Sequence, residues 1–382
     1  MDENTGFEKI LAFSRPLETP VLVMDLSIVK NKYQELANDF PQATIYYAVK
    51  ANPSREVLSV LDEQGSNFDI ASRFELDQVL ALGIDSNRLS YGNTIKKAKD
   101  IAYFYEKGVR LYASDSEQDI RNLAIHAPKS KIYMRILPDE CSTADWPLSR
   151  KFGCNPEMAY DLLVLAKKLG LQPYGISFHV GSQQRDIEQW QHALYRCASL
   201  TKRLRESEHI DIEMINMGGG FPATYKYPNP PMQEYALKIN KFLHEEFGKN
   251  YPRTIIIEPG RSLVADSGTL ISEVILVSKK TNTSAFRWVY IDAGLFNGLI
   301  ETLDESIKYR ITSEKTGTVD KTILAGPTCD SMDVMYENDK VDLPGNLVQG
   351  DRLYIHATGA YTSSYASVAF NGFPPINTIC IP

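Results

Sequence analysis

One lysine, Lys50, stands where an apolar and β-prone run ends, directly after residues 46–49 and shortly before Pro53. A lysine in this place can be desolvated and aimed into a cavity, which lowers the pKa of its amine and makes it a nucleophile. A lysine that holds an aldehyde cofactor such as pyridoxal phosphate needs this property. A solvated lysine at a strand end is the alternative, because lysine side chains are usually exposed. The other motifs must decide between the two interpretations.

Two further motifs follow apolar runs in the same way. Three glycines at 218–220 come after the run 214–217, and they let backbone N–H groups close around a phosphate. A tight turn without a ligand is the alternative. Glu258 and Arg261 come after the run 255–257 and are separated by Pro-Gly, so their charges can face two ends of one ligand. For this pair the alternative is a buried salt bridge.

These residues form one set if the ligand is pyridoxal phosphate. A carboxylate keeps the pyridine nitrogen of that cofactor protonated and strengthens the ring as an electron sink, which suits Glu258. The glycines at 218–220 and Arg261 suit the phosphate, and Ser182 adds a hydroxyl donor. His179 can stack on the ring, although a histidine satisfied within the core is the alternative.

The elements that must position these residues follow from the alternation of short apolar runs with longer amphipathic stretches between about 26 and 265. The strand candidates are 44–49, 68–71, 88–91, 110–113, 131–136, 175–180, 214–217 and 254–258. Eight β-α units predict a closed (β/α)8 barrel of the TIM type, in which chemistry lies at the C-terminal ends of the strands. Lys50, His179 and the glycines fall at such ends.

The sequence becomes β-rich after about residue 267, with strand-like segments at 269–277, 287–291, 321–324 and 352–356. Gly, Pro, Asn and Asp turns separate them, which predicts a C-terminal all-β domain. The strand-like segment 19–25 is expected to join that domain. We therefore predict a cofactor-binding barrel over 25–266 and a β-domain formed by 1–24 and 267–382.

Composition excludes several classes of function. The chain has 382 residues and a net charge of −7, which argues against a nucleic-acid surface. Its five cysteines are widely spaced and odd in number, so they indicate neither a disulfide framework nor a metal site, and a reducing cytoplasm fits best. The acidic N-terminus lacks the features of a secretory signal, and no apolar window of about 18 residues predicts a membrane span.

The chain resembles the fold-type III pyridoxal-phosphate enzymes, and within them the ornithine, lysine, diaminopimelate and arginine decarboxylase group. The motifs in family order are YYAVKAN at 46–52, FDIAS at 68–72, HVGS at 179–182, GGGFP at 218–222, EPGR at 258–261, GPTCDSMD at 326–333 and GAYTSSYASVAFNGF at 359–373. The resemblance covers nearly the whole chain. It implies an alanine-racemase-like barrel with a β-domain, acting as a homodimer whose active sites are shared between the two chains.

The resemblance also implies a site for pyridoxal 5'-phosphate. Lys50 would bind the aldehyde, Glu258 would pair with the pyridine nitrogen, Arg135 would support that carboxylate, and Glu75 would lie near the lysine. The implied cofactor-binding residues are Lys50, Asp69, Arg135, His179, Ser182, Gly219, Gly220, Glu258, Gly260, Arg261 and Tyr361.

In this family the GPTCDSMD segment enters the active site of the partner chain. Cys329 would then be the acid that reprotonates the substrate carbon, and Asp330 would bind the distal amine; a buried structural thiol is the alternative for Cys329. The implied catalytic residues are Lys50, Cys329, Glu258 and His179, and the implied substrate-binding residues are Asp330, Tyr361, Phe370, Asp292 and Glu301. Lys151 and Asp333 match residues that pair across the family's dimer interface.

A cationic distal group is predicted for the substrate. The chain has CDSMD at 329–333 where diaminopimelate enzymes usually carry CESGD, and it lacks their RPALY-type segment after Gly294. The resemblance therefore implies decarboxylation of L-ornithine or L-lysine to putrescine or cadaverine, in polyamine biosynthesis. Ala293 stands where eukaryotic-type ornithine decarboxylases have an aspartate, so the second partner of the amine is unassigned.

Three other functions stay open. One is a decarboxylase of another basic or diaminopimelate-like substrate in a specialised pathway. An alanine-racemase-like enzyme is disfavoured, because that family has a tyrosine acid in the partner loop and an arginine near the pyridine nitrogen. A catalytically inactive regulatory homologue is disfavoured because Lys50, Glu258, Arg261 and Cys329 are all present.

Overall fold

The structure, a computed structural model, describes residues 3–138, 143–146, 151–368 and 376–382. The chain divides into two compact units. The barrel unit comprises Lys30–Pro222 and Asn229–Gly260, and the sheet unit comprises Met1–Val29, Ala223–Pro228 and Arg261–Pro382.

The described secondary structure follows the chain in this order. The strands are β1 (Val21–Asp25), β2 (Ala43–Ala48), β3 (Asn67–Ile70), β4 (Leu89–Tyr91), β5 (Leu111–Ser114), β6 (Lys131–Arg135), β7 (Gln172–Ser177), β8 (Met214–Asn216), β9 (Thr254–Ile257), β10 (Gly268–Ser278), β11 (Arg287–Ile291), β12 (Ile311–Ser313), β13 (Val319–Ala325), β14 (Val334–Met335), β15 (Val341–Pro344), β16 (Arg352–His356) and β17 (Asn377–Ile381). The helices are α1 (Glu3–Ser14), α2 (Leu26–Asp39), α3 (Arg55–Glu63), α4 (Arg73–Leu80), α5 (Ala98–Glu106), α6 (Glu117–His126), α7 (Pro156–Lys168), α8 (Glu188–Glu208), α9 (Met232–Phe247) and α10 (Arg261–Val264).

Strands β2 to β9 form a closed parallel barrel, as the alternating pattern predicts. Strand β9 returns to β2 with Ile255 opposite Ala43, which closes the barrel. These strands are buried continuously rather than at every second residue, as in β4 and β8, because a barrel strand is covered on both faces. Tyr46, Tyr133 and Met214 belong to one cluster of its core. The predicted (β/α)8 fold is confirmed.

One strand prediction was displaced along the chain. The run 175–180 predicts a strand that ends beside His179, whereas β7 begins at Gln172 and ends at Ser177. The apolar pattern continues past the strand because Phe178 and Val180 are also buried, at 1% and 4% exposure. His179 therefore lies in the loop after β7 and not in the strand.

Helices α3 to α9 follow barrel strands, and their ends carry recognisable signals. Ser72 caps α4 by accepting a hydrogen bond from the Glu75 N–H at 3.3 Å, and the Asn155 side chain caps α7 by accepting one from Met158 N–H at 2.8 Å. Pro156 follows as the first residue of α7, where no intrahelical donor is needed. Among the described ranges, no helix has the length and apolar content needed to cross a bilayer.

The sheet unit contains a mixed sheet with the strand order β12-β16-β10-β11-β13-β14. Strand β1 pairs antiparallel with β10 and parallel with β17, so the N-terminal segment joins this sheet as expected. Helix α1 packs on the sheet through Ile10, which clusters with Val21 and Ile271. The predicted all-β domain thus also includes a helix, because its N-terminal residues cover one face of the sheet.

Candidate active site

Lys50 lies just beyond the end of β2, in a short 3-10 helix, Val49–Ala51. The hydrogen bond from Ala48 N–H to the Pro259 carbonyl, at 3.1 Å, extends the β2–β9 pairing as far as the Glu258-Pro259 turn. The lysine is exposed in the single chain, although the sequence predicts a desolvated amine. The described part of the barrel unit therefore does not by itself supply the low-dielectric surroundings.

Other residues of the YYAVKAN motif stabilise the turn that carries the lysine. The Tyr47 hydroxyl donates to the Asn52 carbonyl at 2.9 Å, and the Asn52 side chain accepts from Ser54 N–H at 3.1 Å. Both Tyr47 and Asn52 are buried. The motif therefore holds the lysine backbone at a fixed place at the strand end, which pre-organises the amine.

The glycine loop after β8 could not be built from other residues. Gly218 and Gly220 have φ angles of +65° and +100°. A Cβ on Gly219 would lie 2.6 Å from the Glu258 carbonyl oxygen, and one on Gly220 would lie 2.5 Å from the Gly181 carbonyl oxygen. Phe221 anchors the loop, because its ring stacks on the Trp190 ring with centroids 5.3 Å apart. This tight, side-chain-free loop fits a phosphate cradle.

His179 is held as a neutral imidazole. Gly181 N–H donates to its Nδ1 at 3.0 Å, so the ring proton is on Nε2. Burial lowers the pKa of His179 well below its usual value, and the positive charges of Arg135 and Lys50 lower it further. A neutral ring suits stacking on an aromatic cofactor better than a charged one would.

Asp69, near the end of β3, has a buried carboxylate oxygen that accepts no hydrogen bond from the described residues. This oxygen is Oδ1, and the residue is 6% exposed. Burial raises the pKa of Asp69, and the nearby Glu258 carboxylate raises it further. A Cβ on Gly92 would lie 1.9 Å from Oδ1, so the glycine makes room for this carboxyl group. An unsatisfied buried polar atom at the barrel mouth fits a polar ligand.

Two neighbouring charged residues complete the barrel mouth. Arg135 is the last residue of β6. Burial lowers its pKa, and the Glu258 carboxylate offsets part of this change. Glu75 accepts a hydrogen bond from Ala71 N–H at 2.5 Å, so it helps to close the start of α4. Ser182 exchanges two backbone hydrogen bonds with Trp146, at 3.2 and 3.0 Å. Its predicted phosphate contact stays a prediction.

Asn216 is a residue of this site that the sequence analysis missed. It ends β8, is 1% exposed, and contacts both Glu258 and the glycine loop. A polar residue inside an apolar run, two positions before the first glycine, is the signal that would have found it.

In the sheet unit, Arg261 is engaged by a buried carboxylate. Its guanidinium donates to both oxygens of Glu301, at 2.6 and 2.7 Å, and to the Tyr225 hydroxyl at 2.7 Å. Its Cζ lies 4.8 Å from the centroid of the Tyr361 ring. Arg261 and Glu301 are 3% and 2% exposed. The geometry therefore brings the predicted phosphate residues Arg261 and Tyr361 together, whereas Glu301, predicted to bind substrate, is paired with the arginine.

The loop with Cys329 and Asp330 is exposed and is held at its base by Asp333. That carboxylate is 2% exposed and accepts from Leu295 N–H at 2.7 Å, from Thr328 N–H at 3.0 Å and from the Thr328 hydroxyl at 2.7 Å. A Cβ on Gly326 would lie 2.2 Å from Asp333 Oδ1. The predicted pairing of Asp333 with Lys151 across a dimer stays a prediction.

Two other predicted substrate residues are placed as follows. Asp292 Oδ1 accepts from the Ser272 hydroxyl at 2.6 Å and from Glu273 N–H at 2.9 Å, so this carboxylate helps to fix the β10–β11 connection. Ala293, for which the resemblance implies an aspartate in eukaryotic-type ornithine decarboxylases, is fully buried. Phe370 lies outside the described residues.

A parallel barrel with a lysine, a carboxylate and a glycine loop at its strand ends fits a pyridoxal-phosphate enzyme. The model of the pyridoxal-dependent decarboxylase family, pyridoxal binding domain, matches residues 26–265. The chain belongs to this family, as its motifs predict. It is a carboxy-lyase, and its cofactor is pyridoxal 5'-phosphate.

Two curated relatives and one solved structure support this assignment. The chain is 32% identical to ornithine decarboxylase of Saccharomyces cerevisiae, over 93% of the chain and 79% of that protein. It is 30% identical to lysine/ornithine decarboxylase of Selenomonas ruminantium, over 96% and 90%. The crystal structure of lysine/ornithine decarboxylase from Vibrio vulnificus complexed with cadaverine superposes with a TM-score of 0.88 at 26% identity, covering 98% of each chain.

Proposed function

We propose that the chain decarboxylates L-ornithine or L-lysine to putrescine or cadaverine, as a homodimer in which the loop of one chain completes the active site of the other. The observation that carries this proposal is the exposed loop on which the Cys329 thiol and the Asp330 carboxylate are neighbours. Relatives named for ornithine and for both amino acids support the choice of substrate.

The residues of the barrel mouth have distinct tasks in this proposal. Lys50 binds the cofactor aldehyde through its amine, Glu258 pairs with the pyridine nitrogen, and neutral His179 packs on the ring face. The amides of Gly219 and Gly220 hold the phosphate. When bound, pyridoxal phosphate supplies an electron sink for the electron pair left at the substrate α-carbon when the carboxylate departs.

Cys329 holds the proton that the α-carbon needs after carbon dioxide leaves. Its thiol is on an exposed loop of the sheet unit, so it is accessible to the cofactor site of a partner chain. In the proposed dimer, the loop of one chain meets the barrel mouth of the other. Burial at this interface also gives Lys50 the desolvation that its amine requires.

Asp330 is assigned to the distal ammonium group of the substrate. The carboxylates of Asp292 and Glu301 accept hydrogen bonds within the sheet unit, whereas Asp330 is exposed and accepts at Oδ1 from Met332 N–H at 2.8 Å. A single exposed carboxylate as the partner of the distal amine tolerates tails that differ by one methylene, since such a difference is worth only about 1–3 kcal/mol. This argument supports a dual preference for ornithine and lysine.

An amine-product assay with ornithine, lysine, diaminopimelate and arginine tests the proposed substrate. We expect turnover of ornithine and lysine with kcat/KM values within about a hundredfold of each other, and weak turnover of the other two. Strong turnover of diaminopimelate would contradict the assignment of Asp330 to a cation, and racemisation without release of carbon dioxide would contradict the reaction itself.

A further inference from the structure

Three residues at the barrel mouth form a closed ring of hydrogen bonds. Gly218 N–H donates to Asn216 Oδ1 at 2.9 Å, and Glu258 N–H donates to the Gly218 carbonyl at 2.8 Å. Asn216 Nδ2 donates to Glu258 Oε1 through a short contact. The ring joins the end of β8, the glycine loop and the carboxylate after β9.

The orientation of the Asn216 amide is determined by its two partners. A backbone N–H can only donate, so the amide oxygen must face Gly218 and the NH2 group must face Glu258. The side chain is 1% exposed, which leaves no solvent to compensate for the opposite orientation. Asn216 is thus a neutral donor to Glu258, a role that an ionised aspartate of the same shape cannot fill.

A neutral donor matters because other ionisable groups surround Glu258. Its carboxylate raises the pKa values of Asp69, Tyr46 and Tyr133, and it opposes the lowering of the Arg135 pKa by burial. The positive charges of Lys50 and Arg135 oppose the rise in the pKa of Asp69. A further anion at position 216 would add like-charge repulsion at a buried site.

We propose that Asn216 is a positioning residue, which keeps Glu258 aimed at the pyridine nitrogen and ties it to the glycine loop that holds the phosphate. The proposal rests on the cofactor roles proposed above. Asn216 binds Oε1, and this assigns Oε2 to the pyridine nitrogen. The Asn216 side chain then positions both the group for the pyridine nitrogen and the loop for the phosphate.

The variant Asn216→Asp tests this role, because it keeps the shape and the acceptor for Gly218 N–H and replaces the neutral amide donor to Glu258 with an acidic group. The probes are pyridoxal phosphate and its 1-deaza analogue, which has carbon in place of the pyridine nitrogen. The measured quantity is the ratio of their dissociation constants, from absorbance titration of the apoenzyme. We expect the wild type to prefer pyridoxal phosphate, and Asn216→Asp to lose about tenfold of that preference.

Asn297→Asp is the matched control. Asn297 is also buried, at 4% exposure, and its Oδ1 likewise accepts from a glycine, Gly294 N–H, at 2.6 Å. Its Nδ2 donates to a backbone carbonyl and not to a carboxylate. The control should therefore share any general cost of a buried aspartate and keep the wild-type ratio of dissociation constants.

A second readout is the pH profile of kcat/KM. An aspartate at position 216 shares a proton with Glu258, so activity should be lost at a higher pH on the acid side than in the wild type. If Asn216→Asp does not fold, Asn216→Ser supplies the same ratio measurement, since serine leaves the carboxylate without its donor.

The outcomes separate this proposal from the proposed function. A wild type that binds both cofactors equally would overturn the pairing of Glu258 with the ring nitrogen, and the role of Asn216 with it. A wild type that discriminates, together with an Asn216 variant that discriminates just as strongly, would overturn the role of Asn216 alone.

Discussion

The mouth of the barrel and the Cys329 loop of the sheet unit are built in opposite ways. At the barrel mouth, Asn216, Gly218 and Gly219 are buried, and hydrogen bonds join Asn216, Gly218 and Glu258 at the ends of β8 and β9. In the sheet unit, the residues at 329–332 are exposed, and Asp333 holds the loop only at its base. The difference indicates that Lys50, Glu258 and the glycines proposed for the cofactor are fixed within the barrel unit, whereas Cys329 and Asp330, proposed for the substrate, depend on a partner chain for their surroundings.

The largest effect is expected at the cofactor end of this comparison. Lys50→Ala removes the amine that binds the aldehyde and should lower kcat/KM by at least about a thousandfold. Decarboxylation kinetics and the absorbance of the bound cofactor measure this. Lys131→Ala is the control, since Lys131 is an exposed residue at the start of β6. Equal losses in the two variants would contradict the assignment.

Replacing Glu301 should have a large effect on the folding of the sheet unit. Glu301→Gln leaves the buried Arg261 guanidinium without its counter-charge, so the free energy of unfolding should fall by about 3 kcal/mol. Urea unfolding measures the change. The exposed Glu337→Gln should alter stability by less than about 0.5 kcal/mol. A fully stable Glu301→Gln variant with impaired substrate binding would instead support the original prediction for Glu301.

Acid should weaken the sheet unit through His356. Burial lowers the pKa of His356 to about 4, and Arg310 contributes further. Its folded-state pKa lies below the unfolded value of about 6.5, so stability falls as the pH drops through this window, by about 3 kcal/mol at pH 4. His356→Gln should remove this part of the pH dependence, which urea unfolding at pH 7 and pH 4 measures. An unchanged pH dependence would contradict the assignment.

A smaller effect is expected at the base of the loop. Asp333→Ala removes a carboxylate that accepts three hydrogen bonds, so the loop should lose its fixed position and kcat should fall by about tenfold. The affinity for pyridoxal phosphate should not change. The exposed Asp342→Ala, a residue paired with Lys321, is the control. If cofactor affinity falls in parallel with kcat, the two regions are not independent.

The sequence was informative wherever a residue follows an apolar run that becomes a strand. Lys50 and the glycines at 218–220 were placed correctly after strands β2 and β8, because the C-terminal ends of all barrel strands lie at the same face of the barrel. The boundary of β7 was displaced, because burial of Phe178 in a loop produces the same apolar pattern as a strand.

Contacts between residues far apart in sequence were not predictable. Glu301 pairs with Arg261 across 40 residues, and a charge in a sequence does not reveal which opposite charge it meets. Asn216 was missed because an asparagine before glycines is equally typical of a turn. The intramolecular contacts of Asp333 were hidden for a different reason, since the family resemblance pointed only to a partner chain.

The central claim is that one chain supplies the cofactor lysine and the other supplies the thiol. Mixing inactive Lys50→Ala with inactive Cys329→Ala tests it most directly, under conditions where subunits exchange or after co-expression. If active sites are shared, mixed dimers contain one intact site, and decarboxylation should recover to about a quarter of the wild-type rate. A mixture no more active than the two variants alone would contradict the shared site and place Cys329 in the active site of its own chain.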